Sequence, residues 1–284
     1  MAQKHTLEEL QNIASQVRRD IVRMVHAVQS GHPGGSLGCT DFLVSLYFEI
    51  MDYKAKPFNM DGSNEDIFIL SNGHISPVFY STLAHAGFFE VSELATFRKL
   101  NSRLQGHPAT HEHLEGVRIA SGSLGQGLSV ATGIALSKKL NKDPKIVYCL
   151  MGDGELEEGQ NWEAIMFAAH NKVDNLIATV DFNGQQIDGS TKSIMGFDQL
   201  RNKFEAFGWL TLDMEGNDIS KILETMAKAK SMSGQGKPVM VCMHTEMGYG
   251  VDFMMGSHEW HGIAPNNEQL ANALSQLTET LGDY

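Results

Sequence analysis

Apolar residues recur every three or four positions between residues 7 and 28, which is the spacing of one face of an α-helix. Thr6 and Glu9, at the start of this segment, have the spacing of a capping box. The pattern therefore predicts an amphipathic helix over residues 7–28. A glycine-rich segment follows, GHPGGSLG at residues 31–38, which we interpret as a loop, and a second helix is expected over about 40–51.

Further along the chain, short apolar runs alternate with segments of helical periodicity. Continuous apolar runs are typical of strands buried on both faces of a parallel sheet. Strands that alternate with helices predict helices on both sides of that sheet. We therefore expect an α/β fold, a three-layer αβα architecture with a mostly parallel central sheet. The predicted strands are Ile67–Leu70, Ile146–Met151, Leu176–Phe182, Trp209–Met214 and Val239–Met243, and the predicted helices cover about 77–86, 92–101, 127–140, 157–170, 218–230 and 267–281.

Composition narrows the choice of partners. The chain has 284 residues, with 22 lysines and arginines against 34 aspartates and glutamates, for a net charge of −12. This balance disfavours nucleic acid or an anionic membrane as a partner, and no apolar stretch reaches the roughly 18 residues of a membrane span. Three widely spaced cysteines favour reduced thiols in the cytoplasm. Without repeats or long linkers, we expect a single domain over residues 1–284.

Polar side chains directly follow the predicted strands. His74, Asp153, Asn183, Asn217 and His244 each stand within a few residues of a strand end. In open parallel sheets the carboxyl ends of the strands form the crevice that binds ligands. The sequence therefore predicts a ligand site at this edge of the sheet.

Residues 145–189 carry the strongest chemical signal, because they read as strand, GDG turn, helix, strand and DFN turn. Asn183 follows Asp153 by 30 residues, each after its own strand. Neighbouring strands lie about 4.8 Å apart, so both side chains can reach one ion. Their oxygens suit Mg²⁺ or Ca²⁺, and Mg²⁺ usually completes its shell with phosphate and water. The helix from about Glu157 favours an anion at its start, which indicates a metal-bridged diphosphate. The alternative is that both residues only cap their own turns.

Seven motifs in this sequence resemble successive motifs of the transketolase family, in matching order from about residue 7 to residue 265. The resemblance implies a thiamine diphosphate-binding fold and transfer of a two-carbon ketol unit from a ketose phosphate to an aldose phosphate. The motifs are SGHPGGSLG (30–38), LSNGH (70–74), GHP (106–108), GSLGQGLS (122–129), GDGELEEG (152–159), NGQQIDG (183–189) and WHG (260–262).

The same resemblance implies a partner. Transketolases continue with a pyrimidine-binding domain, which supplies a glutamate to the cofactor, and with a C-terminal domain. The sequence ends at Tyr284, after the part that resembles the diphosphate-binding region. We therefore expect the N-terminal subunit of a split transketolase, active only with a second polypeptide that carries the other domains. A heterotetramer with two copies of each subunit is the expected assembly.

By resemblance, Asp153, Asn183 and the backbone carbonyl of Gln185 would bind the metal, Mg²⁺ or Ca²⁺. The diphosphate and the thiazolium would lie against a larger group of residues from several motifs. That group comprises His74, Gly122, Ser123, Leu124, Gly154, Ile187 and His261.

The resemblance also implies catalytic side chains. His32, His107 and His261 match substrate-facing histidines of the family, with His258 nearby. Histidine suits ketol transfer because the reaction passes through alkoxides and carbinols, and an imidazole donates or accepts protons near neutral pH. Two acidic residues match glutamates that link paired active sites across the subunit interface, and first-turn acids that stabilise a helix are an equal alternative. These two residues are Glu158 and Glu163.

Other thiamine enzymes remain the nearest alternative, namely a deoxyxylulose-phosphate synthase or a subunit of a 2-oxo-acid dehydrogenase. A non-catalytic subunit that keeps the fold is a second alternative. The sequence departs from the common family pattern at Gly35-Ser36, Ser123, Phe182 and residues 75–77. These departures remove no expected metal ligand, but they leave the sugar open. Pentose-phosphate metabolism is the default, and a branched or sulfonated sugar is the alternative.

Overall fold

The computed structural model describes residues 4–196 and 198–284, and within them five parallel strands form the central sheet. The spatial order is β1-β2-β3-β7-β6, with β6 at one edge. A separate short hairpin, formed by the antiparallel strands β4 and β5 of two residues each, follows β3. This arrangement confirms the predicted mostly parallel sheet. The strands are β1 (Ile67–Leu70), β2 (Val147–Gly152), β3 (Leu176–Phe182), β4 (Gln185–Gln186), β5 (Gly189–Ser190), β6 (Leu210–Glu215) and β7 (Val239–His244).

Helices cover both faces of this sheet. Ile67 and Ile69 of β1 pack into one apolar cluster, whereas Phe68 and Leu70 pack into another. Since successive strand residues point to opposite faces, the two clusters are the two outer interfaces of the expected three-layer fold. The helices are α1 (Leu7–Val28), α2 (Pro33–Gly38), α3 (Thr40–Ser45), α4 (Ser76–His85), α5 (Gly127–Leu140), α6 (Gly159–His170), α7 (Thr191–Met195), α8 (Leu200–Ala206), α9 (Ile219–Met232) and α10 (Asn267–Gln276).

Helix α1 has the bounds predicted from its periodicity. The Thr6 hydroxyl accepts a hydrogen bond from the Glu9 backbone N–H at 3.2 Å, and the Glu9 carboxylate accepts one from the Thr6 N–H at 2.7 Å. The expected capping box is therefore present, and it satisfies backbone donors that the start of a helix leaves unpaired. Within the described residues, no helix is both long enough and apolar enough to cross a bilayer.

The expected glycine-rich loop at residues 31–38 was wrong, because Pro33–Gly38 forms helix α2. Pro33 opens the helix, where its fixed φ angle is favourable and its missing N–H costs nothing. The glycines allow close packing. A Cβ on Gly34 would lie 2.8 Å from the Trp260 carbonyl oxygen, and one on Gly38 would lie 3.0 Å from that of Glu246. These contacts bring the segment that precedes His261 against α2.

Three further element predictions need correction. The helix predicted over 92–101 is only a 3₁₀ segment, Val91–Thr96, because Arg98 adopts a left-handed φ of 55° that ends helical geometry. The helix after Thr40 becomes π-helical at Leu46–Ile50. Helix α10 ends at Gln276 rather than near residue 281, because the backbone is extended at Leu277.

Candidate active site

The carboxyl ends of β2 and β3 bring the two residues predicted as metal ligands to one place. The strands are parallel neighbours, with Gly152 in register with Asp181. Asp153 follows directly, and its two carboxylate oxygens accept hydrogen bonds from the Gly154 and Gly184 N–H groups, both at 2.7 Å. Asp153 thus joins the turn after β2 to the turn after β3, as the predicted strand adjacency requires.

Asn183 is held by two hydrogen bonds that fix which way its amide faces. Its Nδ2 donates to Asp181 Oδ2 at 2.8 Å, and its Oδ1 accepts from the Gln185 N–H at 2.9 Å. Asp181 is buried and also accepts a hydrogen bond from the Thr245 hydroxyl. The amide nitrogen is therefore committed to Asp181, and the amide oxygen keeps a lone pair for another partner.

Asp181 was not among the sequence-predicted site residues. The available signal was a carboxylate inside an otherwise apolar strand, which is costly unless the group is hydrogen-bonded or paired. Burial raises the pKa of Asp181. Burial and the nearby Asp181 charge also raise the pKa of Asp153 to about 7. A cation bound at Asp153 would offset the repulsion between these two buried charges.

A cavity of about 300 Å³ opens over these strand ends. Most of the sequence-predicted cofactor and substrate residues line it, together with residues that the sequence analysis missed. The predicted lining residues are His32, His74, His107, Gly122, Leu124, Asp153, Gly154, Asn183, Gln185, Ile187 and His261, and the additional ones are Gly35, Asn72, Gly152, Glu155, Asp181 and Gln186.

Four histidines from four separate segments meet in this cavity. The ring of His32 lies 5.1 Å from that of His74, 5.6 Å from that of His261 and 6.3 Å from that of His107, measured between centroids. The rings of His74 and His261 stack at 5.0 Å. At these distances the four histidine rings lie together on one wall of the cavity and face the same small region.

Burial keeps these histidines neutral. It lowers the pKa of His32 to about 4 and, with the neighbouring rings, holds the pKa of His74 well below its usual value. Burial also lowers the pKa of His107 and of His261. At neutral pH each imidazole therefore offers one acceptor and one donor nitrogen.

Two buried polar atoms of cavity-lining residues have no hydrogen-bond partner among the described residues. They are Nδ1 of His32 and Oδ1 of Asn72. Because unpaired buried polar atoms are costly, they fit a site that receives a polar ligand. Together with the carboxylate and amide oxygens of Asp153 and Asn183, the donor set fits an oxygen-coordinated divalent cation and an attached anionic group.

Glu155, another residue that sequence reasoning missed, ties the cavity wall to the sheet. It is buried, and its carboxylate accepts hydrogen bonds from the Gly125 N–H at 2.7 Å, from the Gly152 N–H at 3.0 Å and from the Ser71 hydroxyl. Burial raises the pKa of this carboxyl. The contacts fix the segment that contains Gly122 and Leu124 against β1 and β2.

Four predicted residues do not line the cavity. Ser123 is exposed and accepts a hydrogen bond from Gln126. His258 is exposed, although it lies close enough to His261 to add to the lowering of that ring's pKa by burial. Glu158 stands at the N-cap position of α6, and Glu163 is exposed on the same helix. Their proposed roles in catalysis, cofactor contact or communication between paired sites stay predictions.

Two strand-end residues do not join the cavity as the sequence pattern predicted. The Asn217 side chain donates to the Gly38 carbonyl at 2.9 Å and accepts from the Glu246 N–H at 2.7 Å, so it links two backbone segments. His244 instead faces Asp213. Both residues lie at the carboxyl ends of β6 and β7, whereas the cavity lies over β2 and β3.

Comparison with known families agrees with this geometry. Residues 10–280 match the family described as transketolase, thiamine diphosphate binding domain. The chain belongs to this family of thiamine diphosphate-binding domains.

Individual relatives cover almost the whole chain. It is 38% identical to an apulose-4-phosphate transketolase subunit of Actinobacillus succinogenes, over 96% of this chain and 97% of that protein. It is 36% identical to a 6-deoxy-6-sulfo-D-fructose transketolase subunit of a Clostridium strain, over 95% and 96% of the two chains. The crystal structure of Campylobacter jejuni transketolase superposes with a TM-score of 0.88 at 33% identity, and the match covers 96% of this chain but 43% of that one.

Proposed function

We propose that this chain is the thiamine diphosphate-binding subunit of a two-component transketolase. The complex would transfer a two-carbon ketol unit from an anionic ketose to an aldose phosphate. The observation that most supports this proposal is the meeting of Asp153, Asn183 and four histidines at one cavity over the ends of β2 and β3. The family membership adds the cofactor class.

We propose that Asp153, Asn183 and the backbone carbonyl of Gln185 hold Mg²⁺, or Ca²⁺, which in turn holds the diphosphate. Hard oxygen ligands of this kind suit either cation. The Asn183 amide supports the assignment, because its nitrogen is bound to Asp181 and its oxygen is the remaining acceptor. Of the other proposed cofactor residues, Gly154 lies near the metal ligands, and Ile187 presents a half-exposed apolar side chain suited to a ring.

When bound, thiamine diphosphate would supply the thiazolium carbanion chemistry. The chain itself would supply proton transfer and positioning. His32, His107 and His261 would each donate or accept a proton at hydroxyl or carbonyl oxygens of the sugar, and a positioned acid or base of this kind contributes about 10²–10⁴-fold. Each imidazole is neutral at pH 7, so one of its nitrogens can donate a proton and the other can accept one. The same side chain can therefore serve ketol transfer in the forward and in the reverse direction.

The proposed partner is a polypeptide with the pyrimidine-binding and C-terminal domains, in a heterotetramer with two copies of each subunit. Two relatives that are named as subunits of apulose-4-phosphate transketolases support a separate partner subunit, since the match covers 96–97% of their length. By contrast, the chain spans 40–43% of the solved transketolases that it resembles. A cytoplasmic location fits the three free, buried cysteines.

The proposed donor is an anionic ketose, a phosphate or a sulfonate. Ordinary pentose-phosphate sugars remain candidates, and the names of two relatives add apulose 4-phosphate and 6-deoxy-6-sulfo-D-fructose to the panel. We expect the partner subunit to hold the phosphate or sulfonate end, as the later domains do in the family. The panel should therefore be assayed with the complete complex.

The test is reconstitution with a pyrimidine-binding partner, sought first among the neighbouring genes. We expect ketol transfer by the complex and none by either chain alone. Asp153→Ala should weaken Mg²⁺-dependent cofactor binding about tenfold or more, whereas the exposed Asp61→Ala should not. Turnover by the single chain would refute the two-component proposal, and consumption of pyruvate instead of ketose would assign the complex to another thiamine enzyme class.

A further inference from the structure

A second group of metal-ligand side chains lies at the edge of the sheet, outside the described lining of the cavity. In residues 4–196 and 198–284, Asp213, Cys242 and His244 each offer one ligand atom, and these atoms lie within 4.8 Å of one another. We propose that these three side chains form a binding site for Zn²⁺ or a similar borderline-soft divalent ion. This site goes beyond the proposed function and uses none of the residues assigned to the cofactor.

Strand register explains why the ligands converge. Strand β6 is the edge strand and pairs with β7, so that Asp213 lies opposite Cys242 and Glu215 lies opposite His244. Residues two apart on a strand share a face of the sheet. The carboxyl ends of β6 and β7 therefore carry four ligand-type side chains on one face, while Met214 points to the buried core on the other.

The Asp213 carboxylate is oriented with one oxygen toward the other ligands. Arg201 of α8 donates to Oδ2, and its Nε also donates to the Thr211 hydroxyl at 3.1 Å. The other oxygen, Oδ1, lies 3.2 Å from Nε2 of His244. Carboxylates that bind metals are commonly held in this way by a second hydrogen-bonding partner. Arg201 would therefore position Asp213 without occupying the oxygen that faces the site.

The other two ligands are also held in place. The His244 ring packs edge-on against Phe182, with centroids 5.7 Å apart and planes at 85°. Cys242 is 3% exposed and lies on β7 two residues before His244. The side chains of His244 and Asp213 are 43% and 44% exposed. The site thus has a buried sulfur at its base and an open mouth through which an ion can enter.

The donor atoms select the type of ion. One sulfur, one imidazole nitrogen and one carboxylate oxygen suit Zn²⁺, which commonly takes three protein ligands and a fourth water or carboxylate. Glu215, in register with His244 on the same face of the sheet, is a candidate for the fourth position. The cofactor site contrasts with this one, because Asp153, Asn183 and the carbonyl of Gln185 offer oxygen alone and suit Mg²⁺.

The test titrates Zn²⁺ into the purified, tag-free, metal-free chain in the presence of excess Mg²⁺, with a chromogenic chelator as competitor. We expect about one equivalent of Zn²⁺ per chain, and Co²⁺ in its place should give a thiolate-to-cobalt charge-transfer absorption. Cys242→Ser and His244→Gln should each weaken Zn²⁺ binding about tenfold or more. Cys242→Ser should also abolish the charge-transfer absorption.

Matched control variants test whether Zn²⁺ binding depends on this site in particular. They remove a thiol, an imidazole or a proposed cofactor-metal ligand elsewhere in the chain. Cys149→Ser, His170→Gln and Asp153→Asn should each bind Zn²⁺ like the unaltered chain. Because His244 is exposed, His244→Gln tests the site even where Cys242→Ser unfolds. Absence of stoichiometric Zn²⁺ binding, unchanged binding by His244→Gln, or loss of binding in Asp153→Asn would each overturn the proposal and leave the two-component transketolase proposal untouched.

Discussion

The Nδ2 atom of Asn183 donates to the carboxylate of Asp181 at 2.8 Å, and this contact sets the orientation of a proposed metal ligand. Asp181 is 2% exposed, and its other oxygen accepts from the Thr245 hydroxyl on the segment after β7. The position of the Asn183 oxygen therefore depends on a residue that would not itself contact the metal. Supporting residues of this kind typically change metal affinity about 10–100-fold when they are altered.

We predict that Asp181→Leu weakens Mg²⁺-dependent thiamine diphosphate binding about 10–100-fold, because it frees the Asn183 amide to rotate. Asp181→Asn should cost less, since a carboxamide oxygen can still accept the hydrogen bond from Asn183. Cofactor binding at varied Mg²⁺ concentration, followed by calorimetry with the complete complex, gives both affinities. Equal losses in the two variants would show that charge, rather than amide orientation, is the contribution of Asp181.

A second prediction concerns stability and pH. Burial keeps the pKa of His32 near 4 and that of His74 well below its usual value, whereas an unfolded chain protonates histidine near pH 6.5. Below that pH the unfolded state binds more protons than the folded state, so the free energy of unfolding falls as pH falls. Each such histidine contributes up to about 1.4 kcal/mol per pH unit to this decline.

Urea unfolding at several pH values between 7 and 5 measures the effect. His74→Gln should flatten the dependence by up to one histidine's share, and His170→Gln provides the matched substitution at an exposed position. Comparison of variants is needed because Asp153, with its pKa raised to about 7, takes up a proton in the folded state and acts with the opposite sign. An unaltered slope in His74→Gln would mean that this ring is protonated in the folded chain.

Glu155 provides a third prediction, on the wall of the cavity. Its carboxylate accepts from two backbone N–H groups, of Gly125 and Gly152, and from the Ser71 hydroxyl. Glu155→Gln replaces one acceptor oxygen by a donor that faces another donor. We expect a loss of about 1–3 kcal/mol in the free energy of unfolding.

The measurement is the denaturant midpoint of the chain, with the exposed Glu224→Gln as the control. Glu224 pairs with Lys221 on the exposed surface of α9, where water screens the ion pair, so Glu224→Gln should change the midpoint little. Equal stability of the two variants would indicate that the Glu155 contacts do not hold the wall of the cavity. Retained stability with weakened cofactor binding would instead assign Glu155 to ligand contact.

The sequence was sufficient to predict what depends on local periodicity. The bounds of α1, α5, β1 and β3 agree with the predicted ranges, because each element carries a clear apolar pattern. The motif residues could also be named, since their types and order were visible in the chain. Periodicity does not encode the helix formed by Pro33–Gly38, in which Gly34 and Gly38 are explained by close contacts with segments more than 200 residues away.

The supporting residues of the site were harder to predict for a different reason. Glu155 stands in a run with Glu157 and Glu158, and no local pattern distinguishes the buried carboxylate from its more exposed neighbours. Asp181 was visible as a charge in an apolar strand, but its partner Thr245 lies on another strand end. Hydrogen bonds between distant segments give such residues their role, and only tertiary structure reveals those bonds.

The last prediction tests the close packing of α2. A Cβ on Gly34 would lie 2.8 Å from both the Trp260 carbonyl oxygen and Cγ of Met247, so Gly34→Ala must displace backbone beside His261. Overpacking of this kind costs about 1–3 kcal/mol. We expect a lower thermal midpoint and, because His32 and His261 lie on the two displaced segments, a loss of ketol transfer in the reconstituted complex.

Gly133→Ala is the matched control. Gly133 lies inside α5, and a Cβ there meets open space within 4 Å. Replacing glycine by alanine inside a helix stabilises it by about 0.5–1 kcal/mol, so this variant should unfold at a slightly higher temperature with unchanged activity. If Gly34→Ala matches Gly133→Ala in both readouts, the contact between α2 and the Trp260 segment does not position the histidines, and their arrangement must depend on other contacts.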